Sequence, residues 1–325
     1  MILLQILILI VGFAALVKGA DWFVEGSSDL ARRFRVPTLM IGLTIVALGT
    51  SAPELAVSVS AAIQGANEIA LSNVVGSNIF NLLGVLGISA FLLPLPVDRA
   101  VLKRDFPFTI ATTVLVLFFT WGAALVQGQP AFVPMEQSVA TLTRWQAAVL
   151  LALFALYIGS LIHTARKHPD QNAEPPKWSA GRACGVIVLG LALVIGGGQA
   201  VVYSAREIAR AAGMTETLIG LTIVAVGTSL PELVTSAVAA KKGEADMAIG
   251  NAVGSNVFNL LFILGLSALI RPISVNMASV LDLALLVGIS AVTFFFASTS
   301  HRIGRKEGAV MVLLYVADVV FAVLR

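Results

Sequence analysis

The stretch GLTIVALGTSAPEL, residues 42–55, lies inside an apolar run yet sets Pro53 and Glu54 side by side. It returns at residues 220–233 as GLTIVAVGTSLPEL, with Pro231 and Glu232. An acid at the centre of a membrane helix costs at least ~2.5–3.5 kcal/mol, and intramembrane acids are functional by default. Over residues 41–54 against 219–232, twelve of fourteen positions are identical, and NVVGSNIFNLL (73–83) is matched by NAVGSNVFNLL (251–261). Residues 17–87 align with 195–265 at a constant offset of 178, without a gap. The chain reads as a duplication.

Composition sets the solvent. Of 325 residues, 58% are hydrophobic and 12% charged, whereas a soluble domain is near half apolar and about a quarter charged. Apolar runs fall at 2–25, 38–62, 70–93, 104–126, 145–164, 183–205, 217–240, 246–270, 277–298 and 307–324. A span needs roughly 20 apolar residues, so the expectation is an all-α polytopic membrane protein of ten helices. The first run lacks a basic leader and is read as a retained helix rather than a signal peptide. The polar, Pro-rich segment RKHPDQNAEPPKWSAGR (166–182) divides the runs five and five. The organisation expected is a first five-helix repeat at 1–165, a cytoplasmic linker at 166–182 and a second repeat at 183–325.

Charge orients these runs. With loops assigned alternately to two sides, fifteen of the twenty-one Lys and Arg fall on one side, five on the other, and Lys18 lies within the first span. The rich side is cytoplasmic by the positive-inside rule, which puts both termini outside. Five helices is an odd number, so the second copy enters the membrane inverted. Inverted repeats belong to secondary transporters, whose sites lie at the repeat interface near the midplane. The scattered basic residues give no nucleic-acid signal. The single Cys184 permits neither an intramolecular disulfide nor a Cys metal site.

Thr50, Ser51, Glu54 and Ser58 share one helix face, and Thr228, Ser229, Glu232 and Ser236 repeat it. Ser77 and Asn81 are four apart, as are Ser255 and Asn259. Pro53 removes an N–H. The carbonyl of Gly49 and those of its neighbours Ala47 and Leu48 are therefore expected to lose their helix partners. Pro231 does the same to Gly227, near Ala225 and Val226. The inventory of carboxylate, hydroxyl, amide and carbonyl oxygens, without His or Cys, suits a hard cation such as Ca²⁺ or Na⁺. Glycines at 42, 49, 76, 84 and 87, with 220, 227, 254 and 265, are expected to let helices approach closely.

The motifs GTSAPEL…GSNIFNLL and GTSLPEL…GSNVFNLL resemble the calcium/cation antiporter superfamily, specifically its prokaryotic sodium/calcium exchangers. The resemblance implies an antiporter rather than an enzyme. It implies ten helices with the second, third, seventh and eighth as core, and sliding of the first and sixth to alternate access. It implies cation ligands at Thr50, Ser51, Glu54, Ser77 and Asn81, with Thr228, Ser229, Glu232, Ser255 and Asn259, joined by backbone oxygens of Ala47 and Ala225. Glu54, Glu232, Thr50 and Thr228 would be the metal ligands proper. The transported ions would be Ca²⁺ and Na⁺, with no cofactor. The partners would be the lipid bilayer and those cations, with no nucleic acid and no protein partner evident, in a prokaryotic cytoplasmic (inner) membrane. Several relatives carry Asp where this chain has Asn259. Ca²⁺/H⁺ exchange uses the same ligand types and stays open; a cation channel or an intramembrane acid/base enzyme fits the inverted repeat less well. Lys18, Asp21 and Glu25, on one face of the first helix, are read as ion-paired and snorkelling rather than gating.

Overall fold

The computed structural model describes residues 2–126, 128, 132–167, 169–171, 174–214 and 225–324. The first part of the expected 217–240 helix, including Gly220, lies outside them. The long elements are α1 (Ile2–Phe34), α2 (Thr38–Thr50), α3 (Ala52–Gln64), α4 (Glu68–Leu92), α5 (Val101–Gly122), α6 (Arg144–Lys167) and α7 (Ala180–Ala211). After the short turn α8 (Ala225–Gly227) and α9 (Leu230–Lys241) come α10 (Ala245–Ile270), α11 (Met277–Thr299) and α12 (Arg305–Leu324). Eight of these are long and apolar enough to cross a membrane, and the pair α2–α3, bent by 49°, makes a ninth span.

The bend corrects the expectation placed on Pro53. The break falls at Ser51, whose φ of −81° and ψ of 11° end α2, and Pro53 lies in the first turn of α3. A proline there gives up an N–H that the helix start leaves unpaired anyway. The carbonyl of Ala47 therefore keeps its helix partner, the N–H of Ser51, at 3.1 Å. Ser229, with φ −96° and ψ 9°, breaks the chain in the same way before α9. Each motif glutamate thus enters in the first turn of a fresh helix. The N-terminal end of the helix dipole favours an anion at that place.

Helices α4 and α10 are buried almost throughout, at 83% and 78% of their central windows, and form the centre. Both carry a π-helical turn that begins next to a motif asparagine, at Asn81–Val85 and Phe258–Ile263. Such turns are rare and cluster at functional sites. Helix α2 lies tightly on α10: a Cβ added to Gly250 would stand 2.7 Å from the carbonyl oxygen of Leu39 and 3.1 Å from the Cα of Gly42. Gly254 is equally close to Leu43, whereas Gly76 faces open space and gives no close approach.

Helices α1 and α7 pack along their lengths as a second layer. Gly19 meets Gly190 and Gly12 meets Gly197 across the antiparallel pair. At 33 residues and ~1.5 Å per residue, α1 spans about 50 Å, well beyond the ~30 Å hydrocarbon core. Its overhang is used: Asp29 accepts the backbone N–H groups of Lys177 at 2.5 Å and Trp178 at 3.3 Å.

Two short ribbons tie loops together in this nearly all-helical chain. Leu95–Pro96 (β1) pairs antiparallel with Arg302–Ile303 (β4), and Ser138–Leu142 (β2) pairs antiparallel with Ile273–Asn276 (β3), with a bulge between Ser138 and Ala140. Cys184 is exposed rather than buried.

Candidate functional site

Glu54 and Glu232 are fully buried. Serines from both copies of the motif surround them. Oε1 of Glu54 accepts the hydroxyls of Ser77 at 2.9 Å and Ser229 at 2.8 Å, and these two oxygens lie 2.7 Å apart. Oε1 of Glu232 accepts from Ser51 at 2.8 Å, and Ser51 Oγ is 2.9 Å from Ser255 Oγ. Adding 178 to Glu54, Ser77 and Ser51 gives Glu232, Ser255 and Ser229, so the two clusters use the same residues twice, with the acid bonded to its own copy's serine only in the first. Each cluster takes its acid and one serine from one copy and its second serine from the other. Neither Oε2 has a hydrogen-bond partner among the described residues.

Thr50 Oγ1 lies 3.0 Å from the carbonyl oxygen of Val46 and 3.0 Å from Asn251 Oδ1. A single hydroxyl proton serves one of them at a time. The Ala47 carbonyl also faces Ser255 Oγ at 3.5 Å. Thr228 is half-buried between α8 and α9, and Ala225 opens α8. Asn81 and Asn259 are fully buried at the π-helical turns, and Asn259 donates to Asn78 Oδ1 at 3.0 Å. All the expected ligand residues with described side chains therefore sit on α2–α4 or α8–α10.

Four further asparagines belong to this assembly. Asn73 Nδ2 donates to Ser58 Oγ at 2.9 Å and to the Glu54 carbonyl at 3.3 Å. Asn251 Nδ2 does the same for Ser236 at 2.9 Å and the Glu232 carbonyl at 3.4 Å. They brace the first turns of α3 and α9 from the neighbouring helix. Asn78 and Asn256 donate to each other's backbone carbonyls at 3.2 and 3.3 Å. A signal for all four was in the sequence, since each is a polar residue in an apolar helix repeated at the offset of 178.

Lys18, Asp21 and Glu25 lie apart from the glutamate clusters. Asp21 is 2.7 Å from Lys18 and 2.6 Å from Lys242 at the end of α9, with Glu25 3.7 Å from the same lysine. The ion-pairing reading holds, with Lys242 as a cross-helix partner that helical spacing on α1 does not reveal.

The glutamate clusters form a buried, oxygen-lined centre in which each carboxylate accepts a serine hydroxyl from the other copy. Carboxylate and hydroxyl oxygens are donors of the kind a hard cation takes. A family model described as sodium/calcium exchanger protein matches residues 4–162 and 182–324. The chain is 36% identical over 326 residues to the putative antiporter CaxA of Alkalimonas amylolytica, with 97% of each chain covered. It is 35% identical over 345 residues to the sodium/calcium exchanger MaX1 of Methanosarcina acetivorans, covering 98% of this chain and 99% of that one. Inner membrane protein YrbG of Escherichia coli is 36% identical over 281 residues, 83% of this chain and 81% of that one. Among solved structures, the sodium-calcium exchanger NCX_Mj soaked with Na⁺ and Sr²⁺ superposes with a TM-score of 0.81 at 31% identity, over 98% of this chain and 99% of that one. With the motifs, the fold and these matches in agreement, the chain belongs to the sodium/calcium exchanger protein family.

Proposed function

We propose that this protein exchanges Ca²⁺ for Na⁺ by alternating access, with Glu54 and Glu232 as the charged cation ligands. The observation that carries the reading is the pair of fully buried carboxylates, with Oε1 held by two serine hydroxyls on Glu54 and one on Glu232 and each Oε2 unpartnered among the described residues. A buried oxygen without a donor is costly; a cation at Oε2 removes that cost. Thr50, Ser51, Ser77, Asn81, Thr228, Ser229, Ser255 and Asn259, with the carbonyls of Ala47 and Ala225, complete the ligand set in this proposal. Ca²⁺ takes six to eight oxygens in flexible geometry, and the set supplies them without a rigid octahedron.

Two ionised glutamates give the empty site a charge of −2 in a low dielectric. Closing around that charge is unfavourable, and closing around one Ca²⁺ or several Na⁺ is not. This difference makes exchange obligatory. The proposal includes ten spans in two inverted halves, 1–165 and 183–325, joined by a cytoplasmic linker, with both termini outside. A bacterial-type inner membrane is its setting, as for the similar YrbG. The buried carboxylate oxygens would also accept protons, so Ca²⁺/H⁺ exchange is the second reading. ⁴⁵Ca²⁺ uptake into proteoliposomes separates the two. Uptake driven by an outward Na⁺ gradient and insensitive to a protonophore supports the first. Uptake that follows the pH gradient and ignores Na⁺ overturns it.

A further inference from the structure

Contacts that cross between the two copies can be sorted by whether their mate at the offset of 178 is also made. Most of those at the centre are. Ser229 to Glu54 is mirrored by Ser51 to Glu232, both at 2.8 Å. The Asn78 Nδ2 bond to the Asn256 carbonyl is mirrored by Asn256 to the Asn78 carbonyl. One contact is not. Asn259 Nδ2 donates to Asn78 Oδ1 at 3.0 Å. Its mate would be Asn81 Nδ2 donating to Asn256 Oδ1. Instead Asn81 Nδ2, Asn81 Oδ1 and Asn256 Oδ1 are all buried without a partner among the described residues. All four side chains are fully buried.

We propose that Asn78, Asn81, Asn256 and Asn259 form a two-position latch, in which the Asn259–Asn78 bond marks one access state and an Asn81–Asn256 bond marks the other. The inference rests on the exchange reading above. In this proposal the two inverted halves exchange their central contacts as access alternates around the site between them. A contact whose mate is already present survives that exchange. A contact whose mate is absent is broken, and the mate forms. The reciprocal amide-to-carbonyl bonds of Asn78 and Asn256 are therefore the pivot, and their side-chain oxygens are the two seats. Each state leaves one seat and one asparagine unsatisfied, so the two states carry equal penalties and neither traps the transporter. Asn78 and Asn256 are positioning residues in this scheme, acting through Asn259 and Asn81.

The test compares Asn78→Ala with Asn256→Ala. Both lose one pivot bond, so that loss is common to the two. Only Asn78→Ala removes the occupied seat, and only Asn256→Ala removes the vacant one. Apparent affinity at each membrane face scales with the population open to that face. Apparent KM for Ca²⁺ is measured by ⁴⁵Ca²⁺ exchange in right-side-out and inside-out vesicles, and the ratio of the two values is compared with wild type. Losing one hydrogen bond shifts the ratio about fivefold, in opposite directions for the two variants, and the double variant returns it to near the wild-type ratio. Ratios that move the same way, or stay within twofold of wild type, overturn the latch. A wild-type protein with no Ca²⁺ flux at all would instead overturn the exchange reading. Asn78→Leu and Asn256→Leu, which keep asparagine's branching and heavy-atom count without its amide, give the same opposed comparison if an alanine variant does not fold.

Discussion

Replacing Glu54 with glutamine tests the site most directly. Oε1 of Glu54 already accepts two hydroxyls, from Ser77 and Ser229, at 2.9 and 2.8 Å. In the variant the amide oxygen keeps that place, because two donors converge there. The NH₂ then takes the position of Oε2 and turns a donor toward the cation. Charge and inward oxygen are lost together. Unit charges ~4 Å apart at an effective dielectric of ~20 attract by ~4 kcal/mol, so a divalent cation loses ~8 kcal/mol and a monovalent one ~4. Relief of repulsion with Glu232 and of the carboxylate's desolvation offsets part of this. With half remaining, Ca²⁺ affinity falls about 1,000-fold and Na⁺ affinity about 30-fold. Isothermal titration of the purified protein measures both, and ⁴⁵Ca²⁺ exchange in vesicles should vanish. Glu232→Gln should match it, since Glu232 is held by the mirror-image cluster. Ca²⁺ affinity within tenfold of wild type in either variant, or equal losses for Ca²⁺ and Na⁺, would refute the reasoning.

Three other outcomes are expected. Gly250→Ala places a Cβ 2.7 Å from the Leu39 carbonyl and 3.0 Å from the Leu43 N–H. Backbone cannot yield as a side chain can, so a loss of ~1–3 kcal/mol should lower the melting temperature in detergent by several degrees; an unchanged melting curve would show that α2 is not seated on α10. Asn251→Ala should weaken Ca²⁺ binding about fivefold more than Asn73→Ala, because Asn251 alone is seen to hold Thr50 as well as the glutamate carbonyl. Equal effects in calorimetry would remove Thr50 from the site. Lys242→Ala breaks ion pairs to Asp21 and Glu25 that are about a third exposed, at 31%, 30% and 35%. Such pairs contribute under ~1 kcal/mol, so thermal stability should change little, and a large fall would mean that α1 is anchored there.

The sequence by itself determined the solvent, the duplication and the buried acids and hydroxyls that the fold gathers at its centre. Hydrocarbon permits only helices and closed barrels, and runs of about 20 apolar residues select the helix, so the apolar runs name the class. The offset of 178 pairs Glu54 with Glu232, and a polar residue repeated in an apolar helix is informative on its own. What repetition cannot say is which copy a residue serves. Only the tertiary structure seats Ser229 on Glu54 and Ser51 on Glu232, because crossing helices bring together side chains 175 and 181 residues apart. The place of the helix break was also beyond local reading. Proline chemistry points four residues back to Gly49, yet the chain turns at Ser51 and leaves Pro53 in a helix's first turn. The partnership of Lys242 with Asp21 was beyond it too, being a contact between helices. Finally, an exact repeat predicts equal halves, whereas the asparagines at the centre are unequal, with Asn259 bonded and Asn81 not. A duplicated sequence encodes both arrangements alike, and the fold occupies one at a time.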